Sequence, residues 1–159
     1  MARYDLESLV NDLKAICQAN LNTKLAAIDV EKNDGLTSYQ IPITAYLFQD
    51  LRQESVAPHK AIMFFGIDDP ESNGIGPATL ERVEIYFIVI CQRYPDAVEF
   101  HTRLLRYMRA LKEIFEENWH TLPNANRYTI SSLSPTTLEG PGFQAGYKAV
   151  GVKVQAILS

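Results

Sequence analysis

Val83-Glu84-Ile85-Tyr86-Phe87-Ile88-Val89-Ile90-Cys91-Gln92 decides the fold of this chain. Val83, Ile85, Phe87, Val89 and Cys91 fall on one side of an extended strand, and Tyr86, Ile88 and Ile90 fall on the other. A strand that is apolar on both faces belongs in the middle of a sheet, covered on each side by helices or by a neighbouring subunit. Immediately after it, Tyr94-Pro95-Asp96 opens a long amphipathic segment, with Asp96 and Glu99 at capping-box spacing. Val98, His101, Leu105, Met108, Leu111, Phe115 and Trp119 recur at three- and four-residue steps and are expected to form the inward stripe of a helix. Arg103, Arg106, Arg109 and Lys112, interleaved with Glu113, Glu116 and Glu117, are expected on its wet side. Acidic residues at a helix C-terminus oppose the macrodipole, and a basic partner surface would account for them.

Outward from this pair, the same periodicities continue. Leu6, Leu9, Val10, Leu13, Ile16 and Cys17 predict an N-terminal helix, and residues 22–32 a second helical stretch that Asn33-Asp34-Gly35 ends. Asp29, Glu31 and Asp34 read as the polar face of that helix end. Ile41, Ile43 and Ala45 alternate with Pro42 and Thr44 in a strand that proline confines to an edge. The stretch from Leu47 to Glu54 fits either strand or short helix. Ala61 to Ile67 is a further strand, and Asp68 to Thr79 reads as a long polar loop. Tyr128 to Leu133 and Val150 to Leu158 close the chain as strands, separated by Ser134-Pro135-Thr136-Thr137 and Gly140-Pro141-Gly142. The expected architecture is one α+β domain over residues 1–159. It has a small mixed or antiparallel sheet of about five strands, an N-terminal helical segment and one long helix packed on the sheet.

Composition agrees with a single packed domain. A chain of 159 residues can bury roughly 70% of its extended surface, so no disulfide or metal is required to hold it. Cys17 and Cys91 both sit in apolar surroundings and read as buried free thiols, although a disulfide between them is possible. The longest apolar run, Ile85 to Cys91, is too short to cross a membrane, and no apolar signal core follows Met1, so synthesis in a reducing cytoplasm is expected. The net charge of −4 argues against a basic surface that grips phosphates, while leaving room for DNA that slides past.

The search for chemistry returns little. His59, His101 and His120 have no metal-ligand spacing, and neither cysteine lies in a C-x-x-C. Asp68, Asp69 and Glu71 could together approach a hard cation, but the spacing is not that of an EF-hand, and the reading preferred is a solvated loop. Gly74-Ile75-Gly76 and Gly140-Pro141-Gly142 precede strands, whereas a dinucleotide fingerprint follows a strand and opens a helix. There is no G-x-S-x-G. No catalytic residue, cofactor or metal site is therefore expected, and the chain is read as not an enzyme. The surplus of aromatic residues outside the periodic core (Tyr39, Tyr46, Phe48, Tyr86, Tyr94, Tyr107, Tyr128, Phe143, Tyr147) fits either interfaces or a second core layer.

Leu21-Asn22-Thr23-Lys24-Leu25-Ala26-Ala27-Ile28-Asp29-Val30-Glu31-Lys32, followed by Asp34-Gly35, is similar to a stretch near the start of phage morphogenesis proteins. The order of elements along nearly the whole chain resembles the bacteriophage tail terminator and tail-completion (head–tail joining) family. That resemblance implies a structural virion protein of the tail or neck, made in the bacterial host cytoplasm. It would form a ring, commonly a hexamer, that caps the tail tube, meets the head connector and lets DNA pass through its lumen, with no membrane involved. The family supplies no catalytic residue to carry over. Head-to-tail ring contacts need two different patches. The candidates are Asp68, Asp69, Glu71 and Asn73 in the long loop, Glu113, Glu116 and Glu117 on the long helix, and Phe143 and Tyr147 near the last strand. Another neck or connector-completion ring is the nearest alternative. A small ligand-binding domain or enzyme would instead be a monomer or dimer with a polar pocket, and an adaptor would bind one partner without a ring.

Overall fold

The computed structural model describes residues 6–36, 45–48, 61–67, 71–73, 80–91, 97–122, 128–137 and 148–158. Its class is mixed α+β. Strand β4 (Leu80–Cys91) pairs antiparallel with β6 (Lys148–Leu158), and β6 pairs antiparallel with β5 (Tyr128–Thr137). On the other side of β4 run β2 (Ala61–Ile67), antiparallel to it, and β1 (Ala45–Phe48), parallel to β2. The three-residue β3 (Glu71–Asn73) pairs with the first residues of β4, so the expected long loop contains a short strand. The order β1-β2-β4-β6-β5 puts the doubly apolar strand at the centre. Residues 41–44, which carried the edge-strand expectation, lie outside the described residues. The edge strand that is described, β1, begins at Ala45.

Register explains which face is the core. Ile85, Phe87 and Val89 lie opposite Val154, Val152 and Val150, and all six are buried. Lys153 and Gln155 occupy the other face with Ile88, and these three are half-buried. β4 and β6 approach closely at Gly151. A Cβ there would stand 2.0 Å from the Phe87 carbonyl oxygen, so only glycine fits. β5 runs further than its sequence suggests, because Ser134-Pro135 does not end it. The pairing shifts register between Leu133 and Thr136 and then resumes, as at a bulge. Proline is tolerated there because β5 ends the sheet among the described residues, and an edge strand needs no donor on its outer side.

The expected pair of N-terminal helices is one helix, α1 (Leu6–Lys32). No glycine or proline interrupts Gln18 to Thr23, and Leu21 joins the four-residue steps of Leu9, Leu13, Cys17 and Leu25. All five are buried, with Ile28 continuing the stripe. Asn20, a weak helix former, donates its side-chain amide to the Ile16 carbonyl oxygen at 2.9 Å and stays within the helix. The expected stop is where the sequence places it. Asn33 takes φ 46° and Gly35 φ 79°, and the Asn33 amide still donates to the Asp29 carbonyl at 3.0 Å.

The second helix, α2 (Ala97–Asn118), crosses β4, β6 and β5 and runs into a short 3₁₀ turn, Trp119–Thr121. Asp96, its expected cap, lies outside the described residues. Its inward face is Phe100, Leu104, Tyr107, Ala110, Leu111, Ile114 and Phe115, with Phe115 tilted on Phe87 at 4.7 Å between ring centroids. This corrects the expected stripe: of its members only Leu111 and Phe115 are buried, while Val98 is 77% exposed, Leu105 40% and Trp119 38%. His101 is exposed too, and Met108 half-buried. The helix has two apolar seams, and three- and four-residue steps can be threaded along the wrong one. Tyr107, read as a possible interface aromatic, is among the largest fully buried side chains. α1 packs on α2, and both helices and the valine-rich sheet face form one core.

Candidate functional site

The polar constellation with the most structure lies where the C-terminal half of α1 meets α2. Arg106 was expected on the wet side and is instead buried, as is Arg103. From α2, Arg106 donates to the Asp29 carboxylate at 2.6 Å and to the Leu36 carbonyl oxygen at 2.7 Å, and it also bonds Asp34. Asp34 in turn accepts from the Leu36 amide at 3.1 Å. One guanidinium thus ties the end of α1, the left-handed turn after it and the following backbone to the middle of α2. The planar fork of arginine suits this, since its donors point in fixed, divergent directions. The Arg106 bond, with help from the Leu36 amide, holds the Asp34 carboxyl below the usual carboxylate range.

One turn along, Arg109 makes a bidentate pair with Glu31 at 2.9 and 2.7 Å and a bond to Glu113 at 2.6 Å. The Glu31 carboxyl is lowered by that hydrogen bond to Arg109. Further on, Lys24 of α1 bonds Glu117 at 2.6 Å and stands 3.7 Å from Glu113. Arg103 is held within α2 by Glu99. The row Arg106, Arg109, Glu113, Glu117 on α2 is therefore matched by Asp29, Glu31 and Lys24 on α1.

This ladder changes the standing of several expected contact residues. Glu113 and Glu117 are engaged by Lys24 and Arg109 of the same chain, and Glu116 by Lys112 at 3.7 Å. The positive charge that the acidic end of α2 called for comes from Lys24 of α1 and from Arg109 and Lys112 of α2 itself. Glu116 and Glu117 remain more than half exposed. Glu71 and Asn73 lie in β3, opposite Arg82 and Leu80 of β4. Asp68, Asp69, Phe143 and Tyr147 lie outside the described residues. Asp29, Glu31 and Asp34, read as mere polar face, are the residues that sequence reasoning missed. The available signal was Asp29, which directly follows the buried Ile28, together with an arginine every third residue on the other helix.

Among the described residues, no group of three His, Cys, Asp or Glu side chains is placed to hold a metal ion. His101 and His120 are exposed, and His59 lies outside the described residues. Cys17 is a fully buried free thiol, and burial pushes its ionisation far above the usual range. No helix among the described residues is long and apolar enough to cross a membrane. Paired carboxylates and guanidinia of this kind fix the geometry of the elements that carry them. The constellation acts as a clamp between helices. Against models of known protein families and against curated protein sequences, the chain finds no match.

Proposed function

We propose that the chain is a structural virion protein that forms an oligomeric ring, probing no substrate and performing no reaction, which caps a phage tail tube and joins it to the head connector. The observation that carries this reading is the pair of unlike sheet edges. Among the described residues, the path β1-β2-β4-β6-β5 ends in β1 on one side and β5 on the other. A head-to-tail ring needs two different patches per subunit, and an edge strand offers unpaired backbone donors and acceptors to a neighbour. On this reading the five-strand path is the unit that each subunit presents, with Tyr128 to Leu133, ahead of the bulge, as the edge of β5 that a neighbour meets. The helix clamp ties α1 to α2 above the sheet, as suits a subunit that must hold its shape in a ring. Six copies around a lumen that passes DNA is the arrangement proposed, with the tail tube protein on one side and a head connector or neck protein on the other.

A neck or connector-completion ring is the same architecture facing a different neighbour. Pull-down of the purified chain against tail-tube protein and, separately, against connector protein distinguishes them. Retention by tail-tube protein is the expected result. Retention by connector protein alone would move the assignment to the neck, and retention by neither would remove the proposal.

A further inference from the structure

The outer seam of α2 is a surface in its own right. Val98, His101, Leu105, Met108, Lys112 and Glu116 fall within an arc of roughly 80° at 3.6 residues per turn, and Trp119, the first residue of the 3₁₀ turn, follows at the end of α2. They form a face beside that of Phe100, Leu104, Tyr107 and Leu111, which face the core, the two faces being centred roughly 110° apart around the helix. The seam runs about 32 Å at 1.5 Å per residue. Three of its apolar members are exposed, Val98 at 77%, Leu105 at 40% and Trp119 at 38%, while Met108 at its middle is half-buried with one side against the core. Their three- and four-residue spacing is that of a helix–helix seam.

The order of residues along the seam identifies what it fits. An antiparallel partner helix of the same sequence, with its two-fold axis between Met108 and Arg109, sets Val98 opposite Trp119, His101 opposite Glu116 and Leu105 opposite Lys112. Each pairing occurs twice, as two-fold symmetry demands. Apolar meets apolar at both ends. The imidazole of His101, a donor, meets the Glu116 carboxylate, an acceptor. The aliphatic stem of Lys112, already directed along the helix by its 3.7 Å approach to Glu116, covers Leu105 while its ammonium reaches water. A parallel partner in register would instead set Lys112 on Lys112 and Glu116 on Glu116.

We propose that this seam is a two-fold contact with a second copy of the chain, made by antiparallel packing of the two α2 helices about Met108. The proposal goes beyond the ring reading and does not rest on it. A ring closes through unlike sheet edges, whereas this contact joins like surfaces and yields a pair. One helix face buries less than a standard interface, so a weak dimer is expected.

Sedimentation velocity of the full chain, from low micromolar to near-millimolar concentration, tests it. The wild-type chain should show a reversible dimerising step. Leu105→Glu, which puts a charge at the seam without touching the core, should weaken that step at least about tenfold. His101→Glu and Glu116→Arg should each weaken it, and the two together should restore it towards wild type, because the exchanged charges face each other again. A chain with no dimerising step at any concentration would overturn the proposal. So would association indifferent to Leu105→Glu, or a double variant no better than the weaker single one. A closed ring unaffected by Leu105→Glu sinks this contact and leaves the ring. A dimer that obeys the charge exchange without forming rings sinks the ring and leaves this contact.

Discussion

Removing the Arg106 guanidinium while keeping its bulk, as in Arg106→Met, separates a buried clamp from a surface one. The Arg106 side chain is 5% exposed and that of Asp29 3%. The variant leaves the Asp29 carboxylate buried without its cation and the Leu36 carbonyl without its donor. Breaking a buried pair from one side costs about 3–5 kcal/mol, mostly the desolvation of the abandoned charge. The neighbouring Arg109–Glu31 pair is 35% and 54% exposed, and Glu31→Gln should cost far less because water takes over. With a urea slope near ~2 kcal/mol/M, the unfolding midpoint should fall by about 1.5–2.5 M for Arg106→Met and by far less for Glu31→Gln. Adding Asp29→Leu to Arg106→Met should recover part of the loss, since no buried charge then stands alone. Urea titration followed by circular dichroism reads all three. Equal losses for Arg106→Met and Glu31→Gln, or no recovery in the double variant, would refute the burial argument.

Three further outcomes follow from the same geometry. Gly151→Ala places a Cβ 2.0 Å from the Phe87 oxygen and 3.0 Å from the Ile88 Cα, both backbone atoms. A loss of about 3 kcal/mol is expected, seen as a melting temperature lower by about 6–12 °C, and an unchanged melt would contradict the close approach. Asp34 and Glu31 have lowered carboxyl pKa values in the folded chain, so their contribution is complete above the unfolded carboxylate range and is lost as pH falls through the lowered folded values. Urea midpoints should therefore drop below about pH 4, less steeply in Asp34→Asn, and an identical acid profile in that variant argues against the Asp34 bond. Cys17 should resist alkylation in the folded chain and react on unfolding, read by peptide mass spectrometry. Fast labelling under native conditions would show that the α1–α2 core is open.

The strands and the inner stripe of α1 were legible because their periods are simple. β4 is apolar on both faces through its second half, which puts it at the centre, and Val150, Val152 and Val154 are buried as their spacing requires. The unity of α1 was lost at Asn20 and Asn22, where low propensity is overridden by Leu21 and Leu25 docking on α2. The face of α2 was misread because it carries two apolar seams, and nothing within a helix says which one meets the sheet. Arg103 and Arg106 compounded this, since arginine is counted as surface unless its partner is known. That partner, Asp29, is 77 residues away. The bulge at Ser134-Pro135 was hidden because proline reads as a break until an edge strand is in view. As for the site, the acidic end of α2 was noticed as an anomaly, but its answer, Lys24, lay on another element.

The central claim is that this chain builds an assembly through its two unlike sheet edges. Native mass spectrometry of the purified full chain, with negative-stain imaging of the same sample, tests it most directly. The account expects a closed ring of uniform stoichiometry, with six subunits and a central lumen, that dissociates when proline replaces an edge residue of β5 such as Ser131. Particles that never exceed a monomer or a simple pair at any concentration, alone or with tail-tube protein, would contradict it.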